Sequence, residues 1–180
     1  MVRTRTLVFP GTFTLTDPLL PEGKLREARE MAAIYPLLYV IENSIREVVQ
    51  RVMRAKYGAD WWNTALTSGK AKQVKLTSAQ RQDSEVRMSW HQRRGAHDID
   101  YIDLSELRDI ILAKQDDFFP DVLGDNRAWF EQFMRELIPS RNVVCHMNPL
   151  AQHNVDDVVR VKVTRWFTLL TERRAHIPGP

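Results

Sequence analysis

Three residues suited to phosphate chemistry fall within six positions, in Arg141-Asn142-Val143-Val144-Cys145-His146. The spacing is R-N-x-x-x-H. On a helix, Asn142 and His146 are four apart and share a face, and the long side chain of Arg141 reaches round to the same space. Arginine stays charged and offers a planar fork of donors that fits phosphoryl oxygens. Histidine ionises near neutrality and so can take or give a proton. An asparagine can orient the histidine or donate to the phosphate. Val143, Val144 and Cys145 supply apolar filling. Pro139 reads as the end of one helix, Ser140 as the N-cap of the next, and Pro149 as its close. The expectation is therefore a short helix whose start gathers an arginine, an amide and an imidazole. A purely structural role fits the same spacing, with Arg141 paired to an acid such as Glu136 or Asp156 and His146 a satisfied core histidine.

The elements that must hold this segment read as helices. Residues 22 to 57 keep helical spacing, with Glu22, Glu27 and Glu30 near the start and a kink or short break expected at Pro36. Leu38, Ile41, Ile45, Val48, Val49 and Val52 make its apolar stripe, and Gly58 is a plausible stop. Glu42 and Arg46 are at i, i+4 and pair on a solvated face, unless Glu42 turns into the cleft of His146. Between Gly69 and Arg94 there are seven basic residues (Lys70, Lys72, Lys75, Arg81, Arg87, Arg93 and Arg94) against Asp83 and Glu85. That imbalance makes Lys70, Lys72 and Lys75 candidates for tracking a nucleic-acid backbone. A helix is expected from about Ser78 to Trp90. His91 and His97 lack metal-ligand spacing and read as surface residues. Asp103-Leu104-Ser105-Glu106 has capping-box spacing before a helix carrying Leu104, Leu107, Ile110 and Ile111. Asp125-Asn126 cap a helix with Trp129, Phe130, Phe133, Met134 and Leu137. The last helix starts at Asn154 and carries Val155, Val158, Val159, Lys162, Val163, Trp166, Phe167 and Leu170.

Residues 1 to 21 differ. Thr6-Leu7-Val8-Phe9 and Thr12-Phe13-Thr14-Leu15 are β-like runs broken by Pro10-Gly11, followed by Pro18 and Pro21. An extended arm laid on another subunit and a flexible leader are both open readings. Residues 22 to 176 form the helical domain.

Composition bounds the rest. The chain has 180 residues, enough for one core without staples, and a net charge of +3, which permits a polyanionic partner without demanding one. One cysteine excludes an internal disulfide and a cysteine-based zinc site. No run approaches the roughly 18 apolar residues of a membrane helix, and the N-terminal apolar run is too short for a secretory signal. Cytoplasmic residence is the default. The fold class expected is all-α, a bundle of four to five helices with short extra ones.

In order and detail these features resemble a HEPN domain (higher eukaryotes and prokaryotes nucleotide-binding). The resemblance is to the subgroup found in bacterial defence and toxin proteins and in RNA-surveillance endonucleases. Arg141 to His146 matches the family's R-polar-spacer-His signature, and Met147-Asn148-Pro149-Leu150 is similar to the subgroup. Leu38 to Arg46 resembles its apolar helix bearing a Glu and an Arg, and Asp100 to Leu107 the turn into its middle helix. The similarity runs over about residues 30 to 172. It implies a metal-independent endoribonuclease without cofactor, in which the ribose 2′-OH attacks the adjacent phosphate. It also implies a two-fold homodimer whose composite cleft holds Arg141, Asn142 and His146 from each copy, with Glu42 and Arg46 in support. RNA is the implied substrate, a defence or toxin–antitoxin system the setting, and an inhibitory protein a further partner. One departure stands out. HEPN toxins controlled by a nucleotidyltransferase antitoxin carry a tyrosine two residues after the histidine, and here that residue is Asn148. A catalytically idle module that binds RNA or a nucleotide, or only dimerises, is the second reading. An adaptor whose basic segment, 69 to 94, docks an acidic protein is the third.

Overall fold

A computed structural model describes residues 6–8, 14–16 and 20–179. Two short strands, β1 (Thr6–Val8) and β2 (Thr14–Thr16), pair antiparallel with Leu7 opposite Leu15. The expectations for Phe9 to Phe13 and for Pro18 lie outside the described residues.

Helices make the rest. Helix α1 (Glu22–Tyr57) runs unbroken through Pro36. Pro36 has no N–H to give to the carbonyl four residues back, a defect costing about 3 kcal/mol. Ile34 and Leu38 are buried on either side of it, and burying such side chains is worth roughly 1.5–3 kcal/mol each. The expected stripe from Leu38 to Val52 is buried throughout. Gly58 ends the helix at φ +80°, its N–H on the Arg54 carbonyl at 2.9 Å. The short α2 (Trp61–Thr64) buries both tryptophans.

Helix α3 (Gly69–Val86) starts nine residues before the expected Ser78 and stops before Trp90. The correction has a simple cause. Ala71, Val74 and Ser78 are its buried residues, three small or modest side chains that leave a weak apolar signal in a lysine-rich stretch. A 3-10 turn (Asp98–Tyr101) leads to α4 (Leu104–Ala113), whose capping box forms as the spacing predicts. The Asp103 carboxylate accepts from the Ser105 and Glu106 N–H groups, and Glu106 accepts from the Asp103 N–H at 2.8 Å. A single turn, α5 (Gln115–Phe118), precedes α6 (Arg127–Cys145), capped by Asn126 as expected. A π-helical stretch (Asn154–Arg160) continues into α7 (Val161–Glu172). Lys162 keeps its place in the α7 stripe by its stem and sends its ammonium to Glu136 at 2.5 Å. The side chain of Val158 lies outside the described set. One apolar cluster joins α1, α2, α3, α4, α6 and α7, and Trp166 is fixed at its centre by a hydrogen bond to Ser44 Oγ at 2.9 Å.

The expected break at Pro139 does not occur. Leu137, Ser140 and Val144 are all buried, so the α6 face continues past the proline. Ser140 is not an N-cap. Its hydroxyl turns back onto the Glu136 carbonyl at 3.2 Å, as serines inside helices do. The R-N-x-x-x-H segment therefore lies in the last turn of a 19-residue helix, not at the start of a short one.

Candidate functional site

The position at a helix end decides the local electrostatics. A C-terminal turn presents carbonyls and the negative end of the macrodipole. An anion there finds no backbone N–H groups, so positive charge must come from side chains. Two arginines supply it around one carboxylate. Arg141 Nε donates to Glu42 Oε2 at 2.9 Å, and its Nη2 to Glu42 Oε1 at 3.4 Å. Arg46 Nη2 donates to the same Glu42 Oε1 at 3.1 Å. Glu42 thus bridges α1 to α6, and the reading that kept it on a solvated face is corrected. The structural alternative for Arg141, pairing with an acid, is met by Glu42 rather than by Glu136 or Asp156. Glu136 is taken by Lys162 and Gln132, and Asp156 by Arg160 and Gln152.

Arg46 is the more constrained arginine. Its Nε donates to the Ile99 carbonyl at 3.2 Å, Nη2 also to the Ile102 carbonyl at 3.1 Å, and Nη1 to Asn43 Oδ1 at 2.5 Å. Those carbonyls belong to the segment that α3 holds from the other side. Ser78 Oγ donates to the Asp98 carbonyl at 2.8 Å, and Arg81 Nη1 to the Tyr101 carbonyl at 2.7 Å and Glu106 Oε2 at 2.5 Å. The chain of contacts runs from α3 through residues 98–103 to Arg46, Glu42 and Arg141.

Burial by itself would lower the affinity of Arg141 for its proton. The hydrogen bond and charge of Glu42, with Asp103 further off, raise it above the ordinary arginine value. Burial likewise works against the Asp103 carboxylate. Hydrogen bonds from the Ser105 hydroxyl and the Glu106 and Ser105 N–H groups, with the Arg141 charge, hold it below the usual carboxylate range. Arg141 is a permanent cation on a carboxylate anchor.

Glu42, Arg46 and Arg141 line a cavity of about 410 Å³ between α1 and α6, with Tyr35, Tyr39, Asn43, Arg94, Asp100 and Cys145. Arg94 reaches it from the loop after α3 and pairs with Glu85 at 2.6 Å. Sequence reasoning missed Tyr35, Tyr39 and Asn43. Their signal was available, since Tyr35, Tyr39, Glu42, Asn43 and Arg46 are spaced to share one face of α1. Arg94 and Asp100 arrive through loop geometry that no spacing announces. Gly95 is part of that geometry, because a Cβ there would collide with the Asp100 carboxylate.

Asn142 and His146 are not among the cavity's lining residues; each follows one of them, Arg141 and Cys145, in sequence, and this exposed margin of the α6 end is its rim. Asn142 and His146 are exposed, and Asn142 Oδ1 lies 3.4 Å from Arg141 Nη1. His146 caps α6 through its backbone N–H, and among the described residues its imidazole makes no hydrogen bond, so the core-histidine alternative fails. Met147 follows with φ +59° and is 91% exposed. The α6 turn brings Arg141, Asn142 and His146 to one helix end, while only Arg141 enters the cavity.

Lys70, Lys72 and Lys75 are elsewhere. They occupy the first turns of α3, about 9–16 Å along the axis from Arg81 at 1.5 Å per residue. His97 is not a plain surface residue. It is half-buried, stacks on Trp61 with ring centres 5.7 Å apart, and accepts the Ile99 N–H on Nδ1. Among the described residues no cluster of His, Cys, Asp and Glu is placed to hold a metal ion. None of their helices is long and apolar enough to cross a membrane.

A family model described as Swt1-like HEPN matches residues 37–170. The matched span contains Glu42, Arg46, Arg141, Asn142 and His146. No curated protein and no solved structure matches the chain.

Proposed function

Because the chain belongs to the Swt1-like HEPN family, we propose that it is a metal-independent endoribonuclease acting at a cleft shared by two copies. HEPN domains are RNase-like or nucleotide-binding modules that commonly dimerise and bind RNA. The observation that carries the finer reading is the pairing of an anchored cation with an unanchored acid–base group. Arg141 is held by Glu42 at the cavity, and one turn on, His146 stands exposed at the helix end with no ring hydrogen bond among the described residues.

The chemistry needs a base, an acid and a cation. His146 of one copy takes the proton from a ribose 2′-OH as that oxygen attacks the adjacent phosphorus. The P–O5′ bond breaks, and His146 of the partner subunit protonates the departing oxygen. Arg141 meets the charge that builds on the phosphoryl oxygens. Asn142 orients the imidazole or donates to phosphate. Glu42 and Arg46 hold Arg141 in place without touching substrate. The products carry a 2′,3′-cyclic phosphate and a 5′-OH. Two-fold docking supplies the second histidine, since each chain has one at this position. A defence or toxin–antitoxin setting, with an inhibitory protein partner, fits this activity, and Asn148 in place of tyrosine argues against control by nucleotidylation.

The test is incubation of single-stranded RNA with the protein in excess EDTA. Cleavage to cyclic-phosphate ends is expected, and His146→Ala should abolish it. Loss of cleavage on chelation would remove the metal-free mechanism, and full activity in His146→Ala would remove the site. A second reading, an idle RNA-binding module, is favoured by the engagement of Arg141 with Glu42. It predicts RNA affinity without turnover, unchanged in His146→Ala.

A further inference from the structure

The α1 face that carries Glu42 and Arg46 is aromatic in the turns just before them. One and two turns before Glu42 it carries Tyr39 and Tyr35, exposed by 58% and 57%. Their rings are 6.2 Å apart between centres and inclined by 34°. Neither hydroxyl makes a hydrogen bond among the described residues. Both rings line the same cavity as Arg46, Arg94 and Arg141. A soluble helix ordinarily turns such large amphipathic rings inward or gives them a polar partner. Here α1 already buries Ile34, Leu38 and Ile41 on its core face, so the tyrosines form a separate, outward apolar step.

We infer that Tyr35 and Tyr39 are a stacking platform for unpaired nucleobases, placed so that the sugar-phosphate of the stacked nucleotide runs onto Arg141. The inference rests on the reading of the cavity as an RNA site. Aromatic rings beside a groove of arginines are the arrangement by which single strands are held, since every base has a π-face and every nucleotide a phosphate. Of the five charged side chains lining the cavity, Arg46, Arg94 and Arg141 are cationic against Glu42 and Asp100, with Glu85 pairing Arg94 from outside the lining, so the cations available to a phosphate are arginines. A base paired in a duplex shows no free face, so the platform selects single strands. This would make the two tyrosines determinants of substrate form, with the chemistry left to the α6 end.

The experiment is anisotropy titration of a fluorescent oligouridylate, and of a duplex of matching length, in the His146→Ala background. Tyr35→Ala/Tyr39→Ala should weaken single-strand binding by about 10-fold or more. Duplex binding and the slope of affinity against salt should stay as they were, because stacking releases no counterions. Tyr35→Phe/Tyr39→Phe should bind as the parent does. Unchanged single-strand affinity in the alanine variant, equal loss in the phenylalanine variant, or no oligouridylate binding by the parent would each overturn the platform. So would a sedimentation profile in which the alanine variant loses self-association together with RNA, since the rings would then be covered by a second copy. The readout is independent of turnover. Binding that weakens on tyrosine removal in a protein that never cleaves RNA keeps the platform and refutes the ribonuclease. Cleavage with tyrosine-independent binding does the reverse.

Discussion

The floor of the cavity and its rim are built on opposite terms. At the floor, Glu42, Arg46 and Asn43 are locked to one another and to the carbonyls of Ile99 and Ile102, and the side chains of Glu42 and Arg46 are each 14% exposed. At the rim, Asn142, His146 and Met147 are exposed, and among the described residues the imidazole makes no hydrogen bond. Arg141 belongs to both, anchored on Glu42 yet open to the cavity. A half-buried ionic network is costly to leave incomplete, so its members serve position. An unpartnered group at a helix end costs the fold almost nothing, so its identity is free to serve chemistry. The contrast says where a variant should hurt stability and where only activity.

The largest effect is expected at the rim. His146→Ala should lower RNA cleavage by about 10²–10⁴-fold, the usual worth of a proton-transfer group, while the unfolding free energy measured in urea stays within about 0.5 kcal/mol of the parent. A large loss of stability would erase the distinction between the two zones. Next is the floor. Arg46→Ala strands the Ile99 and Ile102 carbonyls and leaves Glu42 with Arg141 alone, and hydrogen bonds to charged groups contribute about 1.5–3 kcal/mol each. A net destabilisation of about 2–4 kcal/mol by urea unfolding is expected, and activity should fall only with the folded fraction or with a displaced Arg141. Glu42→Gln is smaller, about 1–2 kcal/mol, since the amide keeps one acceptor for two arginines. It should also free Arg141, raising the dependence of RNA affinity on salt by the equivalent of about one phosphate contact. No change in that dependence would mean that Glu42 does not restrain Arg141.

Asp103 gives the smallest effect. Asp103→Ala removes the α4 cap and should cost about 1 kcal/mol. The wild-type carboxyl lies below the usual carboxylate range when folded. Its contribution is therefore fully present above the unfolded value and is lost as pH falls through the folded one. Stability of the wild type and of Asp103→Ala measured from neutral to acid pH should converge. Parallel curves would show that the cap does not depend on the charge.

Much of the architecture was readable from spacing. The α1 stripe, the α4 capping box, the Asn126 cap and the Gly58 stop are local signals, set by which residues recur every three or four positions and which supply the terminal N–H groups with acceptors. The candidate residues Arg141, Asn142 and His146 were likewise visible as types. Their setting was not. Pro139 and Ser140 carry the local marks of a helix boundary, and the boundary is absent because Leu137, Ser140 and Val144 bury one continuous face against the core. That reversal moves the motif from a helix start, whose field attracts anions, to a helix end, whose field does not. The α3 start was hidden for a related reason, because its contacts are made by small side chains among lysines.

Residue periodicity thus settled which segments are helices and which faces they bury, since both follow from contacts a few positions apart. It could not settle who shares Glu42, because Arg46 is one turn away and Arg141 is 99 residues away. Only packing α6 across α1 brought Arg141 to Glu42, while Glu136 and Asp156 pair with Lys162 and Arg160.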